Sequence, residues 1–86
     1  MDFSEALVAI KAGKKVARSG WNGAGQFVFL VPGSRFTVNR APLLSIYPEG
    51  TVIDYCPHID IRNAQGSIVP WLASQGDLMA NDWVEI

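Results

Sequence analysis

The first dozen residues carry apolar side chains at helical spacing, and the rest of the chain carries short apolar runs separated by turn residues. The apolar positions at the start recur every three or four residues: Phe3, Ala6, Leu7 and Ile10. Asp2 and Glu5 form the acceptor pair of a capping box, and Gly13 suits the left-handed end of a helix. This pattern predicts a helix from about residue 3 to residue 12.

Seven short runs rich in β-branched and aromatic residues follow: 15–18, 26–31, 36–39, 52–56, 59–62, 67–71 and 83–86. The segment from Asn63 to Gly66 separates two of these runs as a hairpin turn does. Ser74, with Asp77 three residues on, predicts a cap for a short helix over 75–80. The expected fold is α+β: an N-terminal helix packed on a bent, mostly antiparallel β-sheet, with a short C-terminal helix before the last strand.

The amount of apolar side chain is large for a chain of this length. The 86 residues suit one domain, so residues 1–86 are expected to form a single ligand-binding domain. Hydrophobic residues make up 49% of the chain, with three Trp, four Phe and two Tyr. Because a core this small cannot hide so much apolar area, we expect part of it to line a pocket or a contact between protomers.

The charge and cysteine content argue against several classes of protein. The net charge is -1 and no long Lys/Arg run occurs, so polymeric nucleic acid is disfavoured as a partner. The single Cys56 excludes an intrachain disulfide and a cysteine-based zinc site. No apolar run reaches the roughly 18 residues of a membrane span, and the acidic start is unlike a signal peptide. The expectation is a soluble cytoplasmic protein without metal, cofactor or membrane contact.

One segment has the residue types of a nucleophile and its base. Cys56, His58 and Asp60 alternate along an extended stretch, where a thiol and an imidazole could meet on one face. Pro57 interrupts the ladder between them, and nothing else in the sequence suggests an orienting group. The simpler interpretation is a buried thiol beside a turn histidine, so we expect no enzymatic activity.

A glycine-rich segment, 20–25, is the strongest indication of a ligand site. Its glycines flank Trp21 and Asn22, which allows a tight turn with backbone N–H groups directed outward to hold an anion. The order of glycines is not that of a dinucleotide-binding fingerprint, because a strand follows instead of a helix. Arg18, three residues before Trp21, is the best-placed phosphate partner. The alternative is a hairpin loop with Trp21 tucked under it as a hydrophobic plug.

The segment 71–83 is the second indication. It combines the indoles of Trp71 and Trp83 with the carboxylates of Asp77 and Asp82 and the hydroxyl of Ser74. Indole faces stack on bases, and carboxylates accept hydrogen bonds from ribose hydroxyls. The alternative is a C-terminal helix and strand whose tryptophans fill the core.

These segments belong to a series of blocks that resembles a known family. The blocks occur in order along nearly the whole chain: 2–7 with 11–14, 16–18 leading to 20–23, 27–32, 46–50, and 68–71 leading to 80–83. They resemble the phage-encoded Thoeris anti-defence proteins of the second type, small proteins formerly catalogued as a domain of unknown function.

The resemblance implies that the protein acts as a sponge. Members of this family bind and sequester, without degrading them, the cyclic ADP-ribose isomers made by bacterial TIR-domain enzymes, and some also bind cyclic oligonucleotides at a separate site. The resemblance further implies a homotetramer, a dimer of dimers with pockets between protomers, in the cytoplasm of an infected bacterial host. Together with the residue patterns it gives the expected ligand contacts: Arg18, Trp21, Asn22, Gly23, Gly25, Phe27, Trp71, Ser74, Asp77 and Asp82.

A different class of function stays open from the sequence. The chain could be a structural or protein-interaction module of a phage without any small-molecule ligand, whose exposed tryptophans serve assembly only.

Overall fold

A computed structural model describes residues 1–86 of the chain, beginning with helix α1 over Phe3–Lys11. Asp2 accepts a hydrogen bond from the backbone N–H of Glu5, and the Glu5 carboxylate accepts one from the backbone N–H of Asp2. This reciprocal pair is the predicted capping box. After the last turn, Gly13 takes a φ of +88°, so the left-handed stop is also as predicted.

Seven short strands follow, with a second helix before the last of them. The elements are β1 (Val16–Arg18), β2 (Phe27–Val31), β3 (Ser34–Thr37), β4 (Val52–Tyr55), β5 (His58–Arg62), β6 (Ile68–Pro70), α2 (Gln75–Leu78) and β7 (Trp83–Glu85). Five strands form one sheet in the order β6-β5-β2-β1-β7, and all neighbouring strands are antiparallel. The Asn63–Gly66 turn joins β5 to β6, and Gly66 has a φ of +88°.

Helix α1 covers one face of this sheet, here called the inner face. Val16 lies opposite Val28, and Val28 lies opposite Ile61, so these side chains share that face. The buried core contains Ala6, Ala9, Ile10, Val16, Val28 and Trp83. The other side of the sheet, the outer face, has no helix packed on it.

Residues 32–57 form an arm that extends from the sheet between β2 and β5. Strands β3 and β4 pair with each other and not with the main sheet, and a 3-10 turn over Leu43–Ser45 lies between them. Val38 is the one buried residue of the arm. The arm makes the molecule long: its radius of gyration is 15.9 Å, whereas a compact chain of this length has about 12 Å.

The predicted fold class is confirmed, and each predicted run overlaps a strand. The third strand is displaced most, to Ser34–Thr37 from the predicted 36–39, because its pairing with β4 begins at Ser34 opposite Tyr55. Helix α2 is shorter than the predicted 75–80, since the chain turns after its C-cap Met79 toward β7. None of the helices has the length and apolar character needed to cross a membrane.

Candidate functional site

Arg18, the last residue of β1, holds two carboxylates that arrive from the C-terminal segment. Its Nε donates to Asp82 Oδ1 at 2.8 Å, and its Nη1 donates to Asp77 Oδ1 at 2.9 Å. The strand register explains the meeting, because Arg18 is opposite Trp83 and therefore beside Asp82. The structure thus brings together three of the expected ligand contacts, and it does so by pairing them with one another.

Asp77 gathers hydrogen bonds from two indoles as well. Trp21 Nε1 donates to Asp77 Oδ1 at 3.0 Å, while Trp83 Nε1 donates to the backbone carbonyl of Asp77 at 2.9 Å. Ser74 caps helix α2 by accepting the backbone N–H of Asp77 at 3.0 Å. We call Arg18, Trp21, Ser74, Asp77 and Asp82 the Arg18 cluster. The hydrogen bonds of this cluster link β1, the glycine-rich loop, α2 and β7.

Trp21 packs against the hydrophobic core from its loop. Trp21 is half-buried and packs edge-on against Trp83, with ring centroids 5.3 Å apart. The plug interpretation of Trp21 therefore describes its packing. A ligand contact at the exposed part of the indole stays a prediction.

Gly20 allows the loop to approach Asp82 closely. Its backbone N–H donates to Asp82 Oδ2 at 2.9 Å, and a Cβ at this position would lie 2.6 Å from the same oxygen. Such a contact is too short for any side chain, so the carboxylate would have to move away from Arg18.

We therefore expect Gly20→Ala to lower the midpoint of thermal unfolding by several degrees. The variant should lose stability because the Asp82 carboxylate is displaced, and not because the backbone is strained. Gly76→Ala is the matched control, because a Cβ there meets its nearest atom, Ser74 Oγ, at an ordinary 3.6 Å. Differential scanning calorimetry of both variants checks the prediction, and equal midpoints would contradict it.

The pairing also sets the charge state of the cluster. The hydrogen bond from Arg18 lowers the pKa of Asp82 below its usual value, and the Gly20 N–H adds to the effect. Burial raises the pKa of Asp77, but the hydrogen bonds from Trp21, Arg18 and Ser74 outweigh it, so this pKa is also lowered. Asp82 and Asp77 in turn raise the pKa of Arg18. All three groups are charged at neutral pH.

The net charge of the Arg18 cluster, -1 from two carboxylates and one guanidinium, decides what it can bind. Lone-pair acceptors on Asp77 and Asp82 suit hydroxyl donors such as those of a ribose. Arg18 offers a phosphate only the donors that the carboxylates leave free, chiefly those on Nη2. The cluster is therefore better suited to a sugar than to a phosphate.

The glycine-rich loop supplies anion-binding groups next to this cluster. The backbone N–H groups of residues 22–25 donate no hydrogen bond within the chain. Gly23 and Gly25 have φ angles of +93° and +79°. A Cβ on Gly23 would lie 2.9 Å from Ala64 Cβ, so the loop lies against the β5–β6 hairpin. Asn22 is exposed and its side chain makes no hydrogen bond within the chain.

Two expected contacts lie elsewhere. Phe27 is on the outer face, beneath the Lys15 ammonium, which is 5.0 Å from the ring centroid. Trp71 is on the inner side, between Phe3 and Trp83 at centroid distances of 5.9 Å to each. The sheet separates these two side chains, so within one protomer they do not contribute to the same pocket.

Trp71 lines a groove that the sequence did not indicate. The groove has a volume of about 520 Å³ between α1 and β5, and apolar residues form most of its wall. Its volume is in the range of small-molecule pockets, about 300–1,000 Å³. The periodicity of the sequence indicates that Phe3 and Trp71 lie on apolar faces. It does not indicate the gap between those faces, which depends on where the arm leaves the sheet.

Arg62 is a further residue that sequence reasoning missed. Its Nη1 donates to the carbonyl of Gly25 at 2.7 Å, which fixes the far end of the glycine-rich loop. An arginine on a strand gives no local sign of such a contact, because the partner is 37 residues away.

The cysteine and histidine segment differs from the interpretation given above. Cys56 is exposed and not a buried thiol, because it follows the end of β4 at the arm's base. The His58 ring approaches the carbonyl of Cys56 at 3.2 Å through Nδ1, and Asp60 Oδ1 at 3.5 Å through Nε2. The imidazole thus faces a carbonyl and a carboxylate.

Comparison with known proteins identifies the family of this chain. Residues 1–86 match the family model for the Thoeris anti-defense 2-like domain. The chain is 36% identical over 83 residues to Thoeris anti-defense 2 of Bacillus phage SP01, an alignment that covers 96% of this chain and 91% of the relative. The class is therefore that of small α+β anti-defence proteins. The chain belongs to the Thoeris anti-defence 2-like family, as its sequence blocks predict, and membership supports a phage anti-defence role.

Proposed function

We propose that this protein binds and sequesters cyclic ADP-ribose-type immune signals made by bacterial TIR enzymes, and releases them unchanged. The observation that carries the proposal is family membership over residues 1–86. The geometry of the Arg18 cluster and the glycine-rich loop supports it, because sugar acceptors and phosphate donors lie side by side. The site of action in this proposal is the cytoplasm of an infected bacterium.

The proposed contacts divide by chemistry. The free backbone N–H groups of residues 22–25 bind the phosphates, assisted by the Nη2 donors of Arg18. Asp77 and Asp82 accept hydrogen bonds from ribose hydroxyls, and Asn22 contributes a polar side chain free of other partners. The exposed part of Trp21 packs on the base. Arg18 also positions the two carboxylates.

The proposal requires tight binding without turnover. Holding a signal away from its receptor at sub-micromolar levels needs a dissociation constant near 10 nM or below, which is about -11 kcal/mol. Several of the contacts above must act together to reach that value. Because hydrogen bonds hold the two carboxylates next to Arg18 in their charged forms, we assign them to binding and assign no catalytic residue.

The proposed assembly is a homotetramer, a dimer of dimers, with the ligand held where protomers meet. An assembly explains how Phe27 and Trp71, which lie on opposite sides of one sheet, could both contact ligands. Some relatives are expected to bind cyclic oligonucleotides too, and a cavity of about 430 Å³ beside Arg40 in the arm is the candidate place for them. The rival function is an assembly module without a ligand.

Recovery of the ligand tests the proposal. Protein and TIR-enzyme product are mixed in equal amounts, free ligand is measured, and the protein is then denatured and the supernatant chromatographed. We expect free ligand to disappear on mixing and to return intact. A hydrolysed product would show an enzyme, and unchanged free ligand would favour the assembly module.

Asn22→Ala refines this test, because the side chain makes no contact that supports the fold. Loss of one hydrogen bond of about 0.5–1.5 kcal/mol predicts roughly two- to twelvefold weaker binding in calorimetry. Glu49→Ala is the control, an exposed polar side chain of the arm that lines neither cavity, and should bind as the unmodified chain does. Equal affinity of the two variants would remove Asn22 from the site.

A further inference from the structure

Side chains bind three carbonyl groups of the glycine-rich loop. The Gln26 amide donates to the carbonyl of Asn22 and, at 3.4 Å, to the carbonyl of Gly23. Arg62 reaches across from β5, and its Nη1 donates to the carbonyl of Gly25 at 2.7 Å. One set of contacts therefore comes from the residue that follows the loop, and the other comes from a strand of the main sheet.

These contacts orient backbone N–H groups as well as carbonyls. The peptide bonds of the loop are trans, so each is planar and its N–H points away from its C=O. The N–H groups that share a peptide bond with the three bound carbonyls belong to Gly23, Ala24 and Gln26, and none of them donates a hydrogen bond within the chain. Each of these donors is thus directed away from the side chain that binds its carbonyl.

Glycine at positions 23 and 25 permits this arrangement. Their φ angles of +93° and +79° are typical of backbone concavities that gather N–H groups around an anion. A Cβ at Gly25 would lie 2.7 Å from Arg62 Nη1, so the guanidinium occupies the space that a side chain would need. A Cβ at Gly23 would lie 2.9 Å from Ala64 Cβ on the β5–β6 turn. Support for the loop thus comes from strand β5 and from the turn that follows it.

A loop of this composition needs such support to bind a ligand tightly. Glycine loses more conformational freedom than any other residue when it is ordered, so a loosely held loop would have to be ordered by the ligand itself. A loop that is already ordered binds more tightly, because its conformational entropy has been lost on folding. Carbonyls occupy the Gln26 amide and Nη1 of Arg62. Both side chains therefore act on a ligand through the loop.

We propose that Gln26 and Arg62 are positioning residues for phosphate, which hold the N–H groups of the loop in the direction that two linked phosphates require. This inference rests on the proposed function, since it concerns the phosphate side of the same site. The N–H groups of Gly23, Ala24 and Gln26 are the donors, and the two side chains keep them ready before a ligand arrives. Arg62 therefore contributes to phosphate binding without contacting the phosphate.

The first test removes the Gln26 amide without changing the charge. Gln26→Met keeps the length of the side chain but cannot donate to a carbonyl. We expect it to bind inorganic pyrophosphate roughly tenfold more weakly, as loss of one charge-assisted hydrogen bond would. Gln65→Met is the matched control, because the exposed side chain of Gln65 on the β5–β6 turn makes no hydrogen bond within the chain. The measurement is a heteronuclear NMR titration that follows each amide of the loop.

The second test separates position from charge. Arg62→Met removes a contact and a positive charge. Lys15→Met removes the same charge from the same face of the sheet, where the ammonium lies over the Phe27 ring and touches no carbonyl of the loop. We expect Arg62→Met to bind pyrophosphate roughly tenfold more weakly. Lys15→Met should lose about twofold at most, because salt screens a remote charge.

Circular dichroism checks that each variant is folded, and the amide shifts show where the anion binds. In the unmodified chain and both controls, pyrophosphate should shift the signals of Gly23, Ala24 and Gln26 most. Unresponsive signals there, or equal binding by Gln26→Met and Arg62→Met and their controls, would overturn the proposal. Capture of the TIR-enzyme product is measured on the same samples. Capture without the pyrophosphate response would refute the positioning role alone, whereas the expected response without capture would leave a phosphate site and refute sequestration.

Discussion

Replacing Trp83 with alanine is expected to leave most of the protein unfolded at 25 °C. Trp83 is fully buried at the centre of the core, where its ring contacts Phe3, Trp21 and Trp71. Truncation of a buried tryptophan costs about 3–5 kcal/mol. A chain of this length has about 4–13 kcal/mol in total, and with eight buried residues it should be near the low end. The loss is thus comparable to the whole stability.

Two variants make the result interpretable. Trp83→Phe keeps an aromatic ring but loses the hydrogen bond from Nε1 to the Asp77 carbonyl, so we expect a loss of about 1–2 kcal/mol. Leu72→Ala removes a large apolar side chain that is 91% exposed, and should change stability by less than about 0.5 kcal/mol. Urea unfolding followed by circular dichroism checks all three. A midpoint for Trp83→Ala equal to that of Leu72→Ala would contradict the assignment of the core.

Local signals were sufficient to predict the elements of the fold. The capping box and Gly13 fix both ends of α1 through contacts within a few residues, and the Asn63–Gly66 turn pairs β5 with β6 directly. The arm was not predicted as a separate unit. Whether β3 joins the main sheet or pairs with β4 alone depends on long-range packing, which strand propensity does not report.

The candidate site, like the fold, could be predicted from the sequence only in part. The sequence placed Arg18 and Trp21 at one candidate segment and Asp77 and Asp82 at another, and the structure brings Trp21, Asp77 and Asp82 to Arg18. The sequence could not show that they bind one another, because those contacts span 56 to 64 residues. Sequence reasoning treated each charge as free for a ligand, whereas the fold uses the guanidinium to join two carboxylates.

Removing that guanidinium should reduce the loss of stability at acidic pH. In the unmodified chain the pKa values of Asp77 and Asp82 are lowered below the ordinary 3.8, so their contribution is present above that pH and is lost as the pH falls through the lowered values. Acidification from neutral pH toward pH 3 should therefore weaken the fold.

In Arg18→Gln the two carboxylates lose their counter-charge while Asp77 keeps its burial, its side chain being 13% exposed. Burial and the neighbouring carboxylate then raise the pKa of Asp77 relative to the unmodified chain, against the hydrogen bonds from Trp21 and Ser74 that still lower it. A smaller lowering of the folded-state pKa means that less stability is lost on acidification, so this variant should weaken less than the unmodified chain as the pH falls toward 3. Arg35→Gln is the control, because the Arg35–Asp54 pair is exposed at 72% and 71% and should leave the acid-weakened profile in place. Urea midpoints at pH 7, 5.5, 4.5 and 3 decide the matter: a profile for Arg18→Gln parallel to that of the unmodified chain would mean that Arg18 does not hold Asp77 and Asp82 in their charged forms.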